Sequence, residues 1–400
     1  MTTPSGRHEL QLHWRALLAA SLGMSAGIGI IGYVNSVIAP YLLTDLGWSR
    51  SQFALASTAT LLTILCIPLV GRFADLFGVR RVAAVGIVVF PASFVVLSGM
   101  KGDISLYFAM LIVQSLLCTT TSATVYSRVI AENFVANRGL ALGLIAAGPA
   151  VVGAVGSPLL TAFIDSAGWR AGYLALSTFC AVLGVAALLL MPPRNPVLAE
   201  AARQTPRRAR ADYGLILRSR TFWIIVASSV LCSLPHALSA SQLKLMLADR
   251  HLSTTEAGFM VSVFATGVIV ARVVSGMALD RWPAYLVAAV GMGMPLFGLL
   301  ILASNATDLA VVGFAVLLLG MSYGVEGDIL TYLAARYFPL EIYSSVLGLL
   351  MGSVGAAMAI GAMVLSVTLA QTETYRLFML ISAAGVVIGS LNFLRLRSIA

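Results

Sequence analysis

Few charged side chains interrupt the long apolar runs of this chain, and those that do hold most of the chemistry open to it. Arg272 lies inside one run, a single helical turn before Gly276, and Glu326 and Asp328 are the two acids placed well inside another. A charge within an apolar slab is costly and is kept mainly where it meets a polar cavity or a partner. The alternative for Arg272 is that it sits near the end of its run and snorkels to water or lipid phosphate. Glu326 and Asp328 can take and release a proton, or pair with Arg272 or Arg128 as an inner gate; a structural ion pair accounts for them as well. His236, directly after Pro235, is either a proton acceptor or an uncharged packing residue. Lys244 reads as an anion-attracting group or a snorkelling surface lysine. Arg128 has Glu132 one turn away, the spacing of a simple helical ion pair. Tyr33, Asn35, Tyr126 and Tyr323 are polar groups within the runs that can line a cavity. The run Thr119-Thr120-Thr121-Ser122 can bond back to helix carbonyls or face such a cavity.

These residues need a scaffold, and composition says which kind. Of 400 residues, 59% are hydrophobic and only 10% charged, where a soluble domain is about 45–50% apolar and about 25% charged. Breaking the chain at charged and turn-rich points leaves twelve segments near the ~20 residues a membrane helix needs. They fall at 15–40, 51–72, 82–100, 104–130, 139–163 and 170–191, then 220–247, 255–277, 284–303, 308–333, 345–370 and 375–395. Ser49-Arg50-Ser51-Gln52 and Ser253-Thr254-Thr255-Glu256 read as capping boxes for the second and eighth. The expected fold is an all-α membrane protein of twelve transmembrane helices in two six-helix bundles. The expected division is 1–192 for the first bundle, 193–219 for a cytoplasmic linker and 220–400 for the second.

The net charge of +9 sits in short loops, so it sets orientation and does not point to nucleic acid. Of the 25 Lys and Arg, Arg50, Lys101, Arg170, Arg250 and Arg376 fall in outer loops, Arg128, Lys244 and Arg272 in or at the edge of spans, and the rest in inner segments. That bias places both termini in the cytoplasm. The first apolar run is too long for a signal-peptide core and is expected to stay as an anchor. A bacterial inner membrane fits the short polar linker and sparse acidic loops. The four cysteines lie inside apolar runs without paired spacing, and two of the four histidines are in the N-terminal tail, so neither a disulfide framework nor a metal site is expected. The chain carries no phosphate loop, His-Glu-x-x-His, Cys-x-x-Cys or Gly-x-Ser-x-Gly motif. No catalytic activity and no cofactor are expected.

The halves repeat. Gly71-Arg72-Phe73-Ala74-Asp75, followed by Gly78, Arg80 and Arg81, returns 205 residues later as Gly276-Met277-Ala278-Leu279-Asp280-Arg281. Arg138-Gly139-Leu140 and Tyr343-Ser344-Ser345 open the fifth and eleventh spans at the same offset. The repeated phrase resembles the cytoplasmic loop motif of the major facilitator superfamily, and the resemblance covers nearly the whole chain. It implies a secondary transporter with a site between its halves. It also implies that Gly71, Asp75, Gly78 and Arg80, with Gly276 and Asp280, form a conformational gate in which the aspartate caps a neighbouring helix.

Shorter patches, Asp45-Leu46-Gly47-Trp48-Ser49-Arg50 and Gly168-Trp169-Arg170 among them, look like the monocarboxylate-porter branch, which includes oxalate:formate-type antiporters. That likeness implies a small organic anion as substrate, moved by proton symport or anion exchange, with Arg272 neutralising its carboxylate. An arginine suits the task because its planar fork holds a carboxylate by two hydrogen bonds and stays charged. Tyr33, Asn35, Tyr126 and Tyr323 are the companion substrate candidates, and Glu326, Asp328 and His236 the coupling or gating candidates. The chain departs from the branch's animal members in having Val268 where they keep an aspartate and in lacking their lysine in the first span. Proton coupling therefore needs another acid. The expected partners are the anion, protons or a counter-anion and the bilayer, with the monomer as the working unit. The alternative is a proton-coupled exporter of amphipathic or cationic compounds, the span-10 acids binding the cation.

Overall fold

The computed structural model describes residues 6–48, 62–193, 209–241, 243–248, 254–304, 306 and 308–398. Every regular element among them is a helix. In chain order these are α1 (Gly6–Leu12), α2 (Trp14–Ser25), α3 (Ile31–Asp45), α4 (Leu62–Phe77), α5 (Val79–Ser98), α6 (Ile104–Leu117), α7 (Ala123–Asn133) and α8 (Arg138–Leu190). Then come α9 (Ala209–Arg218), α10 (Arg220–Ser233), α11 (His236–Ser241), α12 (Leu243–Ala248), α13 (Thr254–Arg281), α14 (Ala284–Gly293), α15 (Pro295–Ala303), α16 (Leu309–Tyr337), α17 (Tyr343–Thr372) and α18 (Arg376–Phe393).

Nine helical stretches among the described residues are long and apolar enough to cross a membrane. One of them, α8, is 53 residues long and holds two spans that meet at Gly168, whose φ of 81° only glycine adopts readily. With α4 and α10 the count reaches twelve. The capping box at Ser49, span residues 51–61, linker residues 194–208 and Ser253 lie outside the described residues, as does the Lys244 side chain.

The chain divides into two compact units, Met1–Pro206 with Pro339–Leu349, and Arg207–Phe338 with Leu350–Ala400. The start of α17 thus belongs to the first unit and its remainder to the second. Both units are apolar on the outside: Leu65, Val88, Leu189, Phe297 and Met363 are all exposed. A helix in lipid satisfies its backbone internally and shows apolar side chains outward, so an oily exterior is the stable one.

In the first unit, Phe90, Phe94, Tyr107, Trp169 and Tyr173 form the buried aromatic centre. Phe94 stacks on Tyr173 at 5.9 Å and Trp169 meets it edge-on at 6.0 Å. The indole N–H groups find acceptors: Trp48 donates to the Gly102 carbonyl at 2.8 Å and Trp169 to Asp45 at 2.9 Å. At the outer start of α6, Asp103 accepts the Ser105 N–H at 2.9 Å, and the Ser105 donors hold its carboxyl below the usual carboxylate range.

Three spans expected as single helices are interrupted. The first breaks at Ala26–Gly27 and passes through a 3-10 turn, Ile28–Ile30. The fourth narrows to a 3-10 turn over Cys118–Thr121. The two breaks meet: the Thr121 hydroxyl accepts the N–H of Ile28 at 3.0 Å, supplying an acceptor that the broken helix lacks. Thr119, Thr120 and Thr121 are buried and donate back to the carbonyls of Ser115, Leu117 and Cys118 at 2.5–2.6 Å. Of the two roles open to this run, the helix-backbone one is realised. The seventh span breaks at Leu234-Pro235, between Ser233 and His236, because a proline removes a ladder donor and crowds the preceding turn.

In the second unit, α13 and α16 are pressed together by a glycine register. A Cβ on Gly320 would strike the carbonyl of Phe264, and one on Gly324 the carbonyl of Val268. Positions 264, 268 and 272 fall on one face of α13, and 320, 324 and 328 on one face of α16, since residues four apart share a face. The third rung of the ladder therefore puts Asp328 opposite Arg272. Small residues that let two backbones approach are a common way of packing membrane helices.

Candidate functional site

The second unit holds two ionisable pairs. Arg272 Nη1 lies 3.4 Å from Asp328 Oδ1. Ser275 donates to Asp328 Oδ2 at 3.5 Å and to the carbonyl of Arg272 at 3.2 Å. Asp328 is 2% exposed on its side chain and Arg272 20%. The contact is long for a charge-assisted bond, which runs about 2.7–2.9 Å. The Nε of Arg272 is buried and has no hydrogen-bond partner among the described residues. A guanidinium has five donors, and this one commits one of them, at long range.

The second pair is Glu326 with His236. Ser233 at the end of α10 donates its hydroxyl to Glu326 Oε1. His236 Nδ1 lies 3.3 Å from Glu326 Oε2, within ion-pair range but not aligned as a hydrogen bond. The ring of Tyr323 meets the His236 ring at 4.8 Å and 62°, and packs against Phe264 at 5.9 Å. Glu326 and Asp328 are two residues apart on one helix, about 200° of rotation. They face nearly opposite sides of α16 and serve different partners, so a grouping of both acids around Arg272 does not hold.

The first unit holds a third charged cluster of another kind. Asp75, near the end of α4, is buried and ion-paired to Arg128. Its two oxygens accept the N–H of Ser344 at 3.0 Å, the N–H of Ser345 at 2.7 Å and the Ser345 hydroxyl at 2.6 Å. It caps the first turn of α17, where a helix leaves N–H groups without internal partners. Arg128 also donates to Glu132 at 2.6 Å, so the i,i+4 pair is present but accounts for only half of its contacts. Gly71 is required here: a Cβ would collide with the Ser344 carbonyl. Gly78 turns the chain from α4 into α5 with φ 83°. Arg80 is exposed, Gly276 buried and Asp280 half-buried.

The remaining candidates are scattered. Tyr126 is buried against Gly23, its hydroxyl without a hydrogen-bond partner among the described residues. Asn35 accepts from the Tyr107 hydroxyl at 3.4 Å. Tyr33 packs on Gly153 and helps line an apolar cavity of about 390 Å³ with Val152, Leu160 and Phe163. Ser233, Ser275, Ser344 and Ser345 were invisible as partners in the sequence, where serines in apolar helices look alike. Glu9 was missed too. Its carboxylate accepts the N–H groups of Val135, Ala136 and Asn137 at 2.7, 3.1 and 2.7 Å, just before α8.

An all-helical membrane protein with paired charges inside its bundles is the class these features define. The family model described as Major Facilitator Superfamily matches residues 16–362 and 229–398, and the chain belongs to that superfamily. It is a transporter and not an enzyme. It is similar to monocarboxylate transporter 4 of Mus musculus, 27% identical over 385 residues that cover 90% of this chain and 78% of the relative. The Rattus norvegicus protein of the same name is 26% identical over 374 residues, with the same coverage. Among solved structures, a proton:xylose symporter matches with TM-score 0.73 at 16% identity, covering 96% of this chain and 95% of that one. A bacterial homologue of the iron transporter ferroportin matches with TM-score 0.74 at 17% identity, covering 97% and 99%. These structures share the fold with this chain.

Proposed function

We propose that this protein is a secondary transporter of small organic anions, a monocarboxylate or related carboxylate, with Arg272 as the anion ligand. The observation that carries the reading is the under-committed guanidinium: buried Nε without a partner, one long contact to Asp328, and a side chain still one-fifth exposed. A carboxylate arriving at Arg272 meets unused donors in the fork geometry that suits it. Asp328 holds the guanidinium's place in the empty carrier, so that the charge is not left unpaired in an apolar setting. The aspartate that the animal relatives keep on the eighth span is supplied in this chain from the tenth, and the glycine register of α13 and α16 makes that possible.

The Asp75 cluster acts as the conformational gate in this reading. It ties the start of α17, whose remainder belongs to the second unit, to residues of the first. Both termini lie in the cytoplasm, and the inner-loop basic residues support a plasma-membrane orientation of that sense. The test is uptake of labelled L-lactate, formate and oxalate into proteoliposomes holding the purified chain. Uptake of at least one, abolished by Arg272→Ala, is the expected result. Full uptake by Arg272→Ala, or no uptake of any carboxylate by the wild type, rejects the reading.

A further inference from the structure

We infer that the Glu326–His236 pair is the coupling proton site of this carrier, separate from the anion ligand, and that the protein therefore works as an electroneutral proton–anion symporter. The inference rests on the carboxylate reading above and adds the identity and place of the second cargo.

The geometry separates the two tasks. Asp328 turns toward α13 and its carboxylate is engaged by Arg272 and Ser275. Glu326 turns toward the break in the seventh span, where Ser233 closes α10 and His236 opens α11. Both are buried: His236 is 3% exposed and Glu326 6%. Neither ring nitrogen of His236 has a hydrogen-bond partner among the described residues, although Nδ1 faces the carboxylate at 3.3 Å. A carboxylate, a neutral imidazole and one hydroxyl donor form a site one proton short of neutrality. Adding that proton, to Glu326 Oε2 or to His236 Nδ1, gives a neutral acid–imidazole pair or a paired carboxylate and imidazolium. Either form costs less at apolar depth than a bare carboxylate beside a neutral ring.

The groups that face the pair are few. From α10 come Ser233 and Cys232, whose sulfur donates to the Val386 carbonyl at 3.8 Å, and from α16 comes Tyr323, stacked on the imidazole. Of the charged residues on helices packed against α16, Arg272 is engaged with Asp328 on the other face. Arg220 opens α10, thirteen residues before Ser233 and about 20 Å away along the helix. Glu256, Asp280 and Arg281 lie in the first and last turns of α13, and Tyr285 interacts with Tyr337.

Charge bookkeeping gives the transport mode. The empty carrier has Arg272⁺, Asp328⁻, Glu326⁻ and neutral His236. The loaded carrier has gained one proton and one monoanion, so its charge is the same. Empty and loaded forms therefore cross the membrane potential on equal terms. The proton enters the pair on one side and leaves it unchanged on the other, and no covalent bond is made.

The experiment uses the purified full chain, wild type, Glu326→Gln, His236→Asn and Ser233→Ala. Reconstituted protein is assayed with ¹⁴C-lactate in two ways: accumulation driven by a pH gradient, and exchange against internal lactate at equal pH. The same proteins, without substrate, are titrated with pH and followed by infrared spectroscopy in the carboxyl C=O region. Glu326→Gln is expected to lose gradient-driven accumulation by at least about tenfold while retaining exchange, the split expected of a group that acts only through the proton. The infrared titration should show a carboxyl band that vanishes in Glu326→Gln and shifts its midpoint in His236→Asn. Where Glu326→Gln fails to fold, the shift in His236→Asn and a smaller one in Ser233→Ala decide. Unaltered gradient-driven accumulation in Glu326→Gln, or a pH-dependent carboxyl band indifferent to Glu326 and His236, overturns the inference. Lactate inert in the wild type, with the Glu326 band present, removes the lactate reading and leaves the proton site standing.

Discussion

Acids in the two units are used in contrasting ways. Asp75 accepts from two backbone N–H groups, a hydroxyl and a guanidinium, and its contacts to Ser345 are 2.6–2.7 Å. Glu9 accepts three backbone N–H groups at 2.7–3.1 Å. Both sit at the start of a helix, and both are saturated. Asp328 and Glu326 face a guanidinium and an imidazole at 3.4 and 3.3 Å, with donors left over on the cation in each pair. Saturated acids fasten a helix start, whereas acids with slack can change partner or take a proton without dismantling a helix. Burial alone would not have separated them, since Asp75 and Asp328 are both nearly inaccessible.

The contrast can be broken first at Arg272. Arg272→Ala should cut carboxylate flux about 100-fold, corresponding to the ~2.7 kcal/mol of a charged hydrogen-bonded contact. Melting temperature should move little, because Asp328 has Ser275 and can accept a proton; uptake and thermal unfolding measured together check both halves. Asp75→Ala should do the reverse. It leaves Arg128 buried with only Glu132 and strips the α17 start of its cap, a loss of about 3–5 kcal/mol seen as a lower melting temperature. Gly324→Val tests the register that pairs Arg272 with Asp328: the added side chain strikes the Val268 carbonyl, destabilises by about 1–3 kcal/mol and weakens transport together with stability. Glu9→Gln should be the mildest, about 0.5–1 kcal/mol from weaker capping, read as a small melting shift with lactate uptake kept.

The sequence carried the architecture well and the site only in part. Apolar length, the 205-residue repeat and the loop charges were enough for twelve helices, because bilayer thickness imposes them. Pro235 and Gly27 were visible, but the breaks beside them were not, since a helix in lipid tolerates either residue when a neighbour such as Thr121 takes up the freed backbone group. Arg272, Glu326, Asp328 and His236 stood out because charges in apolar runs are rare. Their pairing did not, because it depends on which face of α16 each acid takes and on Gly320 and Gly324 setting the register with α13. Periodicity held that information: two residues apart on a helix means opposite faces. The serine partners carried no signal of their own, being one small polar residue among many.

The central claim is that Arg272 is the anion ligand and Asp328 its placeholder, and equilibrium binding tests it most directly. Purified wild type, Arg272→Gln and Asp328→Asn are titrated with L-lactate by calorimetry at one pH. Binding should vanish in Arg272→Gln and persist or tighten in Asp328→Asn, where no internal carboxylate competes for the guanidinium. Wild-type affinity in Arg272→Gln, or binding abolished in Asp328→Asn with Arg272 intact, would contradict it.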